Sequence, residues 1–166
     1  MMLDRRTILT TFALGSAAAA LLRPLSQVEA AETFEVTKTD AEWRKVLTPA
    51  QYATLRRHAT ETPNSSPLEH ETRKGIFACA GCDLPLYDAS TKFDSGTGWP
   101  SFFDHLPDAI RTSTDYYLIV PRNEVHCRRC GGHLGHVFDD GPKPTGLRYC
   151  MNGVALSFHP AANQGA

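Results

Sequence analysis

Five cysteines are the side chains of this sequence best suited to chemistry, and their spacing divides them into two groups. Four form two Cys-x-x-Cys units, Cys79 with Cys82 and Cys127 with Cys130. The fifth, Cys150, stands alone. An odd number of cysteines cannot all pair within one chain, so at least one is free, metal-bound or intermolecular.

The paired units predict a metal site. Two such units can place the thiolates of Cys79, Cys82, Cys127 and Cys130 tetrahedrally around one Zn²⁺. Two disulfides are one alternative, and a redox Cys-x-x-Cys is another. The redox motif normally opens a helix, and neither unit has a helical continuation. Because all four ligands come from protein, we predict one structural zinc ion rather than a catalytic one.

The surroundings of Cys150 suggest a nucleophile. If this segment is a strand, Arg148, Cys150 and Asn152 share one face, and Tyr149 and Met151 share the other. A cation on the same face favours the thiolate, which is the nucleophilic form of cysteine. The alternative is an inert buried cysteine, which is the commoner case for a lone one.

Two further segments carry residues that could act with Cys150. The glycine-rich segment 131–142 contains His133 and His136, and histidine is suited to moving protons near neutral pH. Either could instead be a structural residue or a substitute metal ligand. The segment 92–103 places Trp99 among glycines and aromatics, where the ring either caps the core or lines a pocket for a methyl group.

These residues need a scaffold, and the sequence predicts a mainly antiparallel β body with two short helices at one side. Capping boxes at Thr39 and Thr48 predict helices near 40–47 and 49–59. After residue 60, runs of aromatic and β-branched residues alternate with Gly, Pro and Asp, which is typical of strands and turns. The predicted strands are 75–79, 84–87, 112–120, 124–127, 135–139, 147–152 and 154–159.

The N-terminus has the plan of an export signal. Arg5 and Arg6 precede the apolar stretch 8–22, and the paired arginines resemble a twin-arginine signal. The stretch is shorter than the roughly 20 residues that a membrane span needs. We expect cleavage after Ala30, no membrane span in the product, and export to a bacterial periplasm of residues 31–166 as one domain.

Composition excludes one class of function. The formal net charge is −1 and the pI is about 6.6, so no general basic field attracts nucleic acid. Hydrophobic residues make up 42% of the chain, which suits a globular domain rather than a disordered one. Nothing in the sequence suggests an oligomer, and we expect a monomer.

Four motifs in order resemble the type B methionine-R-sulfoxide reductases: Cys-Ala-Gly-Cys, Phe-Asp-Ser-Gly-Thr-Gly-Trp-Pro-Ser-Phe, His-Leu-Gly-His-Val-Phe and Arg-Tyr-Cys-Met-Asn. The likeness covers about residues 40–158. It implies a small sandwich of two antiparallel sheets that reduces the R epimer of methionine sulfoxide, free or in proteins. By this resemblance Cys150 attacks the sulfoxide sulfur and becomes a sulfenic acid, Trp99 packs the substrate methyl group, and Phe138 is a further pocket residue.

The same resemblance implies roles for the remaining polar residues. His133 and His136 would bind and protonate the sulfoxide oxygen, directly or through water. Asp140 would orient the two histidines. Arg148 and Asn152 would support the thiolate and the transition state.

One departure from the family pattern bears on turnover. Many relatives carry a resolving cysteine in the loop before the Gly-Trp-Pro-Ser-Phe segment, sometimes at the position of Thr97, and this sequence has no sixth cysteine. The sulfenic acid is therefore predicted to react with an external thiol, from a thioredoxin-like protein or a small molecule. Two other functions compete: a zinc hydrolase or deaminase, which needs an open metal position, and a zinc-ribbon binding module, for which Cys150→Ser is harmless.

Overall fold

The computed structural model describes residues 32–116 and 121–162, and the predicted signal at 1–30 lies outside this part of the chain. The described residues contain two α-helices, α1 (Asp40–Val46) and α2 (Pro49–Arg57). They also contain nine strands: β1 (Gly75–Cys79), β2 (Pro85–Asp88), β3 (Lys92–Phe93), β4 (Ser101–Phe102), β5 (Ile110–Asp115), β6 (Arg122–Cys127), β7 (His133–Phe138), β8 (Arg148–Met151) and β9 (Leu156–Pro160).

Both predicted helices are confirmed, and both begin with the expected capping box. The Thr39 hydroxyl accepts a hydrogen bond from the Glu42 amide, and the Glu42 carboxylate accepts one from the Thr39 amide; Thr48 and Gln51 repeat the arrangement. Helix α2 ends two residues earlier than predicted, at Arg57, and the following C-cap residue His58 adopts a left-handed conformation with φ 55°. No helix among the described residues is long and apolar enough to cross a membrane.

The strands form two antiparallel sheets, which confirms the predicted fold class. One sheet has three strands in the order β2-β1-β9, and the other has six in the order β3-β4-β8-β7-β6-β5. Two strands were missed, β3 and β4. Each has only two residues, which is too short to show the alternation from which a strand is predicted.

An aromatic cluster joins the two sheets. The rings of Tyr87 from β2 and Phe102 from β4 stack with centroids 4.4 Å apart, and Phe77 from β1 meets Phe102 at 5.0 Å. Each such ring, when fully buried, contributes on the order of 2 kcal/mol to stability. Tyr149 and Met151 of β8 are also buried here. Because successive strand residues face opposite sides, Arg148 and Cys150 point away from this core, as predicted.

Candidate active site and metal centre

Strand register places Cys150 in a row of polar side chains that crosses four strands. Cys150 of β8 lies opposite Ser101 of β4 on one side and His136 of β7 on the other. His136 in turn lies opposite Glu124 of β6. Residues directly opposed in an antiparallel pair present neighbouring side chains on one face. Four potential proton donors or acceptors therefore stand side by side.

The Cys150 thiol is half-buried in this row. Its sulfur lies 3.9 Å from the Thr97 hydroxyl oxygen. Burial raises the pKa of Cys150, and the opposing influence of Thr97 and Arg148 is smaller. The Arg148 cation therefore favours the thiolate, as expected, but burial outweighs its effect in the substrate-free protein. Cys150 carries its proton until something in the reaction removes it.

His133 and His136 are brought together by an irregularity in β7. The pairing of β6 with β7 shifts register so that His126 faces His133 while Val125 faces Gly135, and Leu134 is skipped. Such a bulge re-aims the side chains that follow it. The two imidazole centroids lie 5.4 Å apart, although residues three apart in a regular strand would face opposite sides.

A close strand contact beside these histidines explains a glycine between them. A Cβ atom at Gly135 would lie 2.1 Å from the Cys150 carbonyl oxygen, so any larger residue would push β7 away from β8. The glycine keeps His136 within reach of the strand that carries Cys150.

His133 is almost completely buried, with 2% of its surface exposed. Its Nδ1 lies 2.7 Å from a Glu124 carboxylate oxygen. Its Nε2 is buried and has no hydrogen-bond partner among the described residues. A buried ring nitrogen without a partner costs free energy, and a bound substrate oxygen would satisfy it.

His136 is held by a different carboxylate. Its Nε2 lies 2.9 Å from Asp115 Oδ2, and Arg122 contacts the same oxygen at 2.6 Å. Burial lowers the pKa of His136, and the hydrogen bond that its Nε2 makes to the Asp115 carboxylate raises it by less. His136 is therefore neutral near pH 7.

Glu124 lies between two imidazoles. Besides His133, it contacts His58 Nδ1 at 3.0 Å. Burial raises the pKa of Glu124, but the hydrogen bonds to His133 and His58 outweigh it and hold the pKa far below the usual range. The hydrogen bond with Glu124 raises the pKa of His58. The Glu124 carboxylate is thus charged at neutral pH and lies against Nδ1 of His133.

Asp140 does not orient the histidines, so its predicted role is wrong. Its two carboxylate oxygens accept hydrogen bonds from Nε and Nη2 of Arg148, both at 2.8 Å. The Arg148 guanidinium also lies over the Phe138 ring, 4.4 Å from its centroid. Phe138 and Arg148 are opposed in the β7–β8 pair, and Asp140 follows just beyond it. The family resemblance suggested the histidines, but the ladder places Asp140 beside Arg148.

Trp99 and Asn152 are both anchored to one residue that the sequence interpretation missed. Trp99 is half-buried, and its indole N–H donates to the Glu61 carbonyl oxygen at 3.1 Å. Asn152 is buried directly after β8, and its Oδ1 accepts from the Glu61 amide at 2.9 Å. Its Nδ2 donates to the Leu134 carbonyl at 3.0 Å. The Asn152 amide thus holds backbone in place.

A cavity of about 680 Å³ opens beside the two histidines. It is lined by both imidazoles, by the carboxylates that hold them and by residues at the end of α2. The principal lining residues are His58, Asp115, Tyr116, Glu124, His133 and His136.

The four paired cysteines converge, and two matching loops position them. In the first, the Asp83 amide donates to the Cys79 carbonyl at 2.8 Å, and Asp83 is left-handed with φ 57°. In the second, the Gly131 amide donates to the Cys127 carbonyl at 2.8 Å, and Gly131 has φ 65°. The loops therefore close in the same way, one after β1 and one after β6, and they link the two sheets.

The sulfur positions suit a four-coordinate metal. All four Sγ atoms lie within 4.8 Å of one another, with Cys79–Cys130 at 3.7 Å and Cys82–Cys127 at 3.5 Å. Ligands about 2.3 Å from a tetrahedral ion stand roughly 3.8 Å apart. All four are free thiols, which argues against the disulfide alternative. These four cysteines could hold a metal ion.

Comparison with known proteins agrees with this geometry. Residues 47–160 match the family model of the SelR domain. The peptide methionine sulfoxide reductase MsrB of Agrobacterium fabrum is 52% identical over 76% of this chain and 94% of its own length. The MsrB of Methanosarcina barkeri is 52% identical over 74% of this chain and 87% of its own.

A plant relative extends the likeness. The chloroplastic peptide methionine sulfoxide reductase B1 of Arabidopsis thaliana is 42% identical over 93% of this chain and 77% of its own length. Relatives from a bacterium, an archaeon and a plant therefore carry the same named activity. This chain belongs to the SelR-domain family of peptide methionine sulfoxide reductases, the MsrB oxidoreductases.

Proposed function

We propose that this chain reduces the R epimer of methionine sulfoxide in proteins to methionine and so repairs oxidative damage, with Cys150 as the nucleophile. The arrangement of these side chains carries the proposal. Cys150 lies opposite His136 in the polar row. His136 lies beside His133, whose Nε2 is buried and has no hydrogen-bond partner among the described residues. Such a pair of imidazoles can remove a thiol proton and protonate a substrate oxygen. Family membership supports the substrate class.

The proposed chemistry balances with the groups present. The Cys150 sulfur attacks the sulfoxide sulfur while the sulfoxide oxygen is protonated. The oxygen ends on Cys150 as a sulfenic acid, and methionine leaves. Cys150 is oxidised by two electrons and the substrate is reduced by two. The proton that leaves the thiol is replaced by the one that ends on the sulfenic oxygen.

His133 is the proposed proton donor to the oxygen. Its Nδ1 faces the charged Glu124, so a positive ring is stabilised there while Nε2 stays available for the substrate. His136 is neutral and lies opposite Cys150, so it is the proposed acceptor of the thiol proton. This assignment divides the two histidines by their environments.

The other polar and aromatic residues shape the pocket in this proposal. Trp99 packs the substrate methyl group, and Phe138 with the Arg148 guanidinium stacked on it forms a second wall. Arg148 supports the reacting thiolate, and Asp140 positions Arg148 through its paired hydrogen bonds. Asn152 holds the end of β8 through its backbone contacts.

An external thiol completes the proposed turnover. If metal binding engages the four paired cysteines, the chain contains no other thiol to react with a Cys150 sulfenic acid. A thioredoxin-like protein or a small thiol would attack it to form a mixed disulfide and release water. A second thiol would then restore Cys150.

One structural Zn²⁺ is the proposed metal. Four thiolates are soft ligands that select zinc in a tetrahedral site, and a closed site leaves no position for substrate. Cys79, Cys82, Cys127 and Cys130 would hold the ion, which would supply cross-linking of the two sheets and no step of the reaction.

Export is proposed from the sequence alone. The Arg5-Arg6 pair before an apolar stretch supports a twin-arginine-like signal, cleavage after Ala30 and a periplasmic location. A folded, metal-loaded monomer is the proposed mature form.

An epimer-resolved assay tests the central proposal. Purified protein with dithiothreitol should reduce methionine R-sulfoxide and leave the S epimer untouched. Cys150→Ser should lose more than about 1,000-fold in rate, since the nucleophile is gone. Equal activity on both epimers would contradict the stereochemical claim, and an active Cys150→Ser variant would contradict the nucleophile.

A further inference from the structure

Glu61 lies in the loop between α2 and β1 and contacts two separate parts of the molecule, residues 152–154 and Trp99. Its carboxylate accepts hydrogen bonds from the Gly153 amide at 2.6 Å and from the Val154 amide at 2.9 Å. Its own amide donates to Asn152, and its carbonyl accepts from the Trp99 indole. A half-buried acidic residue thus uses both its side chain and its backbone to join distant segments.

The carboxylate anchors this loop to the end of β8. Gly153 begins a single 3₁₀ turn, Gly153–Ala155, whose N-cap residue Asn152 supplies no side-chain cap. Glu61 fills that role from a remote part of the chain. Charge-assisted bonds from a carboxylate to backbone amides are short and strong. The anchor therefore fixes the backbone of residue 61 against the strand that carries Cys150.

The anchored backbone then fixes the Trp99 ring. The indole has one donor, and that donor is bonded to the Glu61 carbonyl. A second contact runs parallel to it, because the Asn64 amide donates to the Gly98 carbonyl at 2.7 Å. Two hydrogen bonds thus hold the loop that carries Trp99 against the loop around Glu61.

We propose that Glu61 is a positioning residue for the reductase: its carboxylate fixes the loop that orients Trp99 over the substrate methyl group and holds Asn152 beside β8. This inference rests on the proposed role of Trp99. Glu61 acts through Trp99 and touches no reacting atom, so its loss weakens substrate binding more than it slows the chemical step.

The test compares Glu61→Ala and Glu61→Gln with Glu71→Ala, whose carboxylate accepts hydrogen bonds from the Arg73 side chain. All are made in a Trp43→Phe background, which leaves Trp99 as the sole tryptophan. Glu61→Ala should raise KM about tenfold, the equivalent of one lost charged hydrogen bond, with a smaller fall in kcat. Glu61→Gln keeps one acceptor, so its KM should lie between those of Glu61→Ala and the parent protein.

Trp99 fluorescence without substrate gives a readout that is independent of catalysis. The emission maximum should shift to longer wavelength in Glu61→Ala and stay unchanged in Glu71→Ala. If Glu61→Ala does not fold, Glu61→Gln decides on the same two measurements. KM and emission equal to those of the Glu71 control would overturn the inference. An emission shift together with an active Cys150→Ser variant would instead refute the proposed function and leave the loop contact standing.

Discussion

Cys127 ends β6 and Cys150 lies within β8, two strands of one sheet that are separated by β7 alone. Cys127 lies within 4.8 Å of three other thiols, and the Cys82 sulfur is 3.5 Å from its own. Cys150 faces a hydroxyl and an imidazole and has no second thiol beside it. Cysteine is therefore the proposed metal ligand in one place and the proposed nucleophile in the other, and the neighbouring side chains differ accordingly.

The largest contrast is expected when one thiol is removed from each region. Cys127→Ser should abolish metal binding and lower the free energy of unfolding by on the order of 5 kcal/mol, since metal binding is coupled to folding. Cys150→Ser should change the free energy of unfolding by less than about 1 kcal/mol. Urea unfolding with metal analysis measures both, and equal stability losses would erase the distinction between the two regions.

The next contrast concerns the histidines beside Cys150. His133→Ala should lower kcat about 10²–10⁴-fold with the metal retained, because a proton donor is lost. His159→Ala is the matched control, since its imidazole lies on β9 and pairs with Asp83. Steady-state kinetics on the R epimer checks this, and a His133 variant as active as the control would remove His133 from the mechanism.

Glu124 should stabilise the active-site region in a pH-dependent way, and comparison of wild type with Glu124→Gln separates this dependence from that of metal binding. Glu124→Gln should cost about 2 kcal/mol at pH 7, because Glu124 is the charged partner of buried His133. The folded pKa of Glu124 is lowered, so its contribution is present above the ordinary value of about 4.3 and is lost as pH falls through the folded pKa.

His58 adds a smaller stabilising contribution with the opposite pH dependence. Its pKa is raised, so the contribution is fully present below about pH 6.5 and is lost as pH rises through the folded pKa. The free energies of unfolding of wild type and Glu124→Gln should therefore differ most between about pH 4.3 and pH 6.5. Urea unfolding from pH 3 to 8 measures the difference, and a constant gap over that range would contradict the pairing.

The smallest effect is expected from giving Cys150 a neighbouring thiol. Thr97→Cys should leave the first turnover within about twofold of wild type, because the new group lies where the Thr97 hydroxyl now stands, 3.9 Å from the Cys150 sulfur. It should, however, form an internal disulfide with Cys150 after one turnover without reductant. Ser113→Cys, on the exposed part of β5, should keep a free thiol, and a Thr97 variant that behaves likewise would place the two residues too far apart.

Local patterns predicted the parts of the site that lie on one segment. Spacing alone fixed the geometry of the two Cys-x-x-Cys units. It also fixed the alternation of Arg148, Cys150 and their neighbours, so both could be predicted. The capping boxes at Thr39 and Thr48 could be predicted for the same reason.

The partners supplied by other strands were not predictable in this way. Glu124 and Asp115 reach the histidines through the register of three strands and the shift at Leu134, which no single segment encodes. Asp140 shows a different error, since its role was taken from the family resemblance, whereas its carboxylate binds Arg148. Glu61 sits in an ordinary polar loop, and its role depends on backbone amides 92 and 93 positions away.

Peptide mapping by mass spectrometry tests the division of the cysteines most directly. The metal-loaded protein is treated with one equivalent of methionine R-sulfoxide without reductant, and sulfenic acid is trapped with a specific reagent. We expect trapped sulfenic acid on Cys150 alone, with Cys79, Cys82, Cys127 and Cys130 unmodified. A disulfide between Cys150 and any of those four would contradict it.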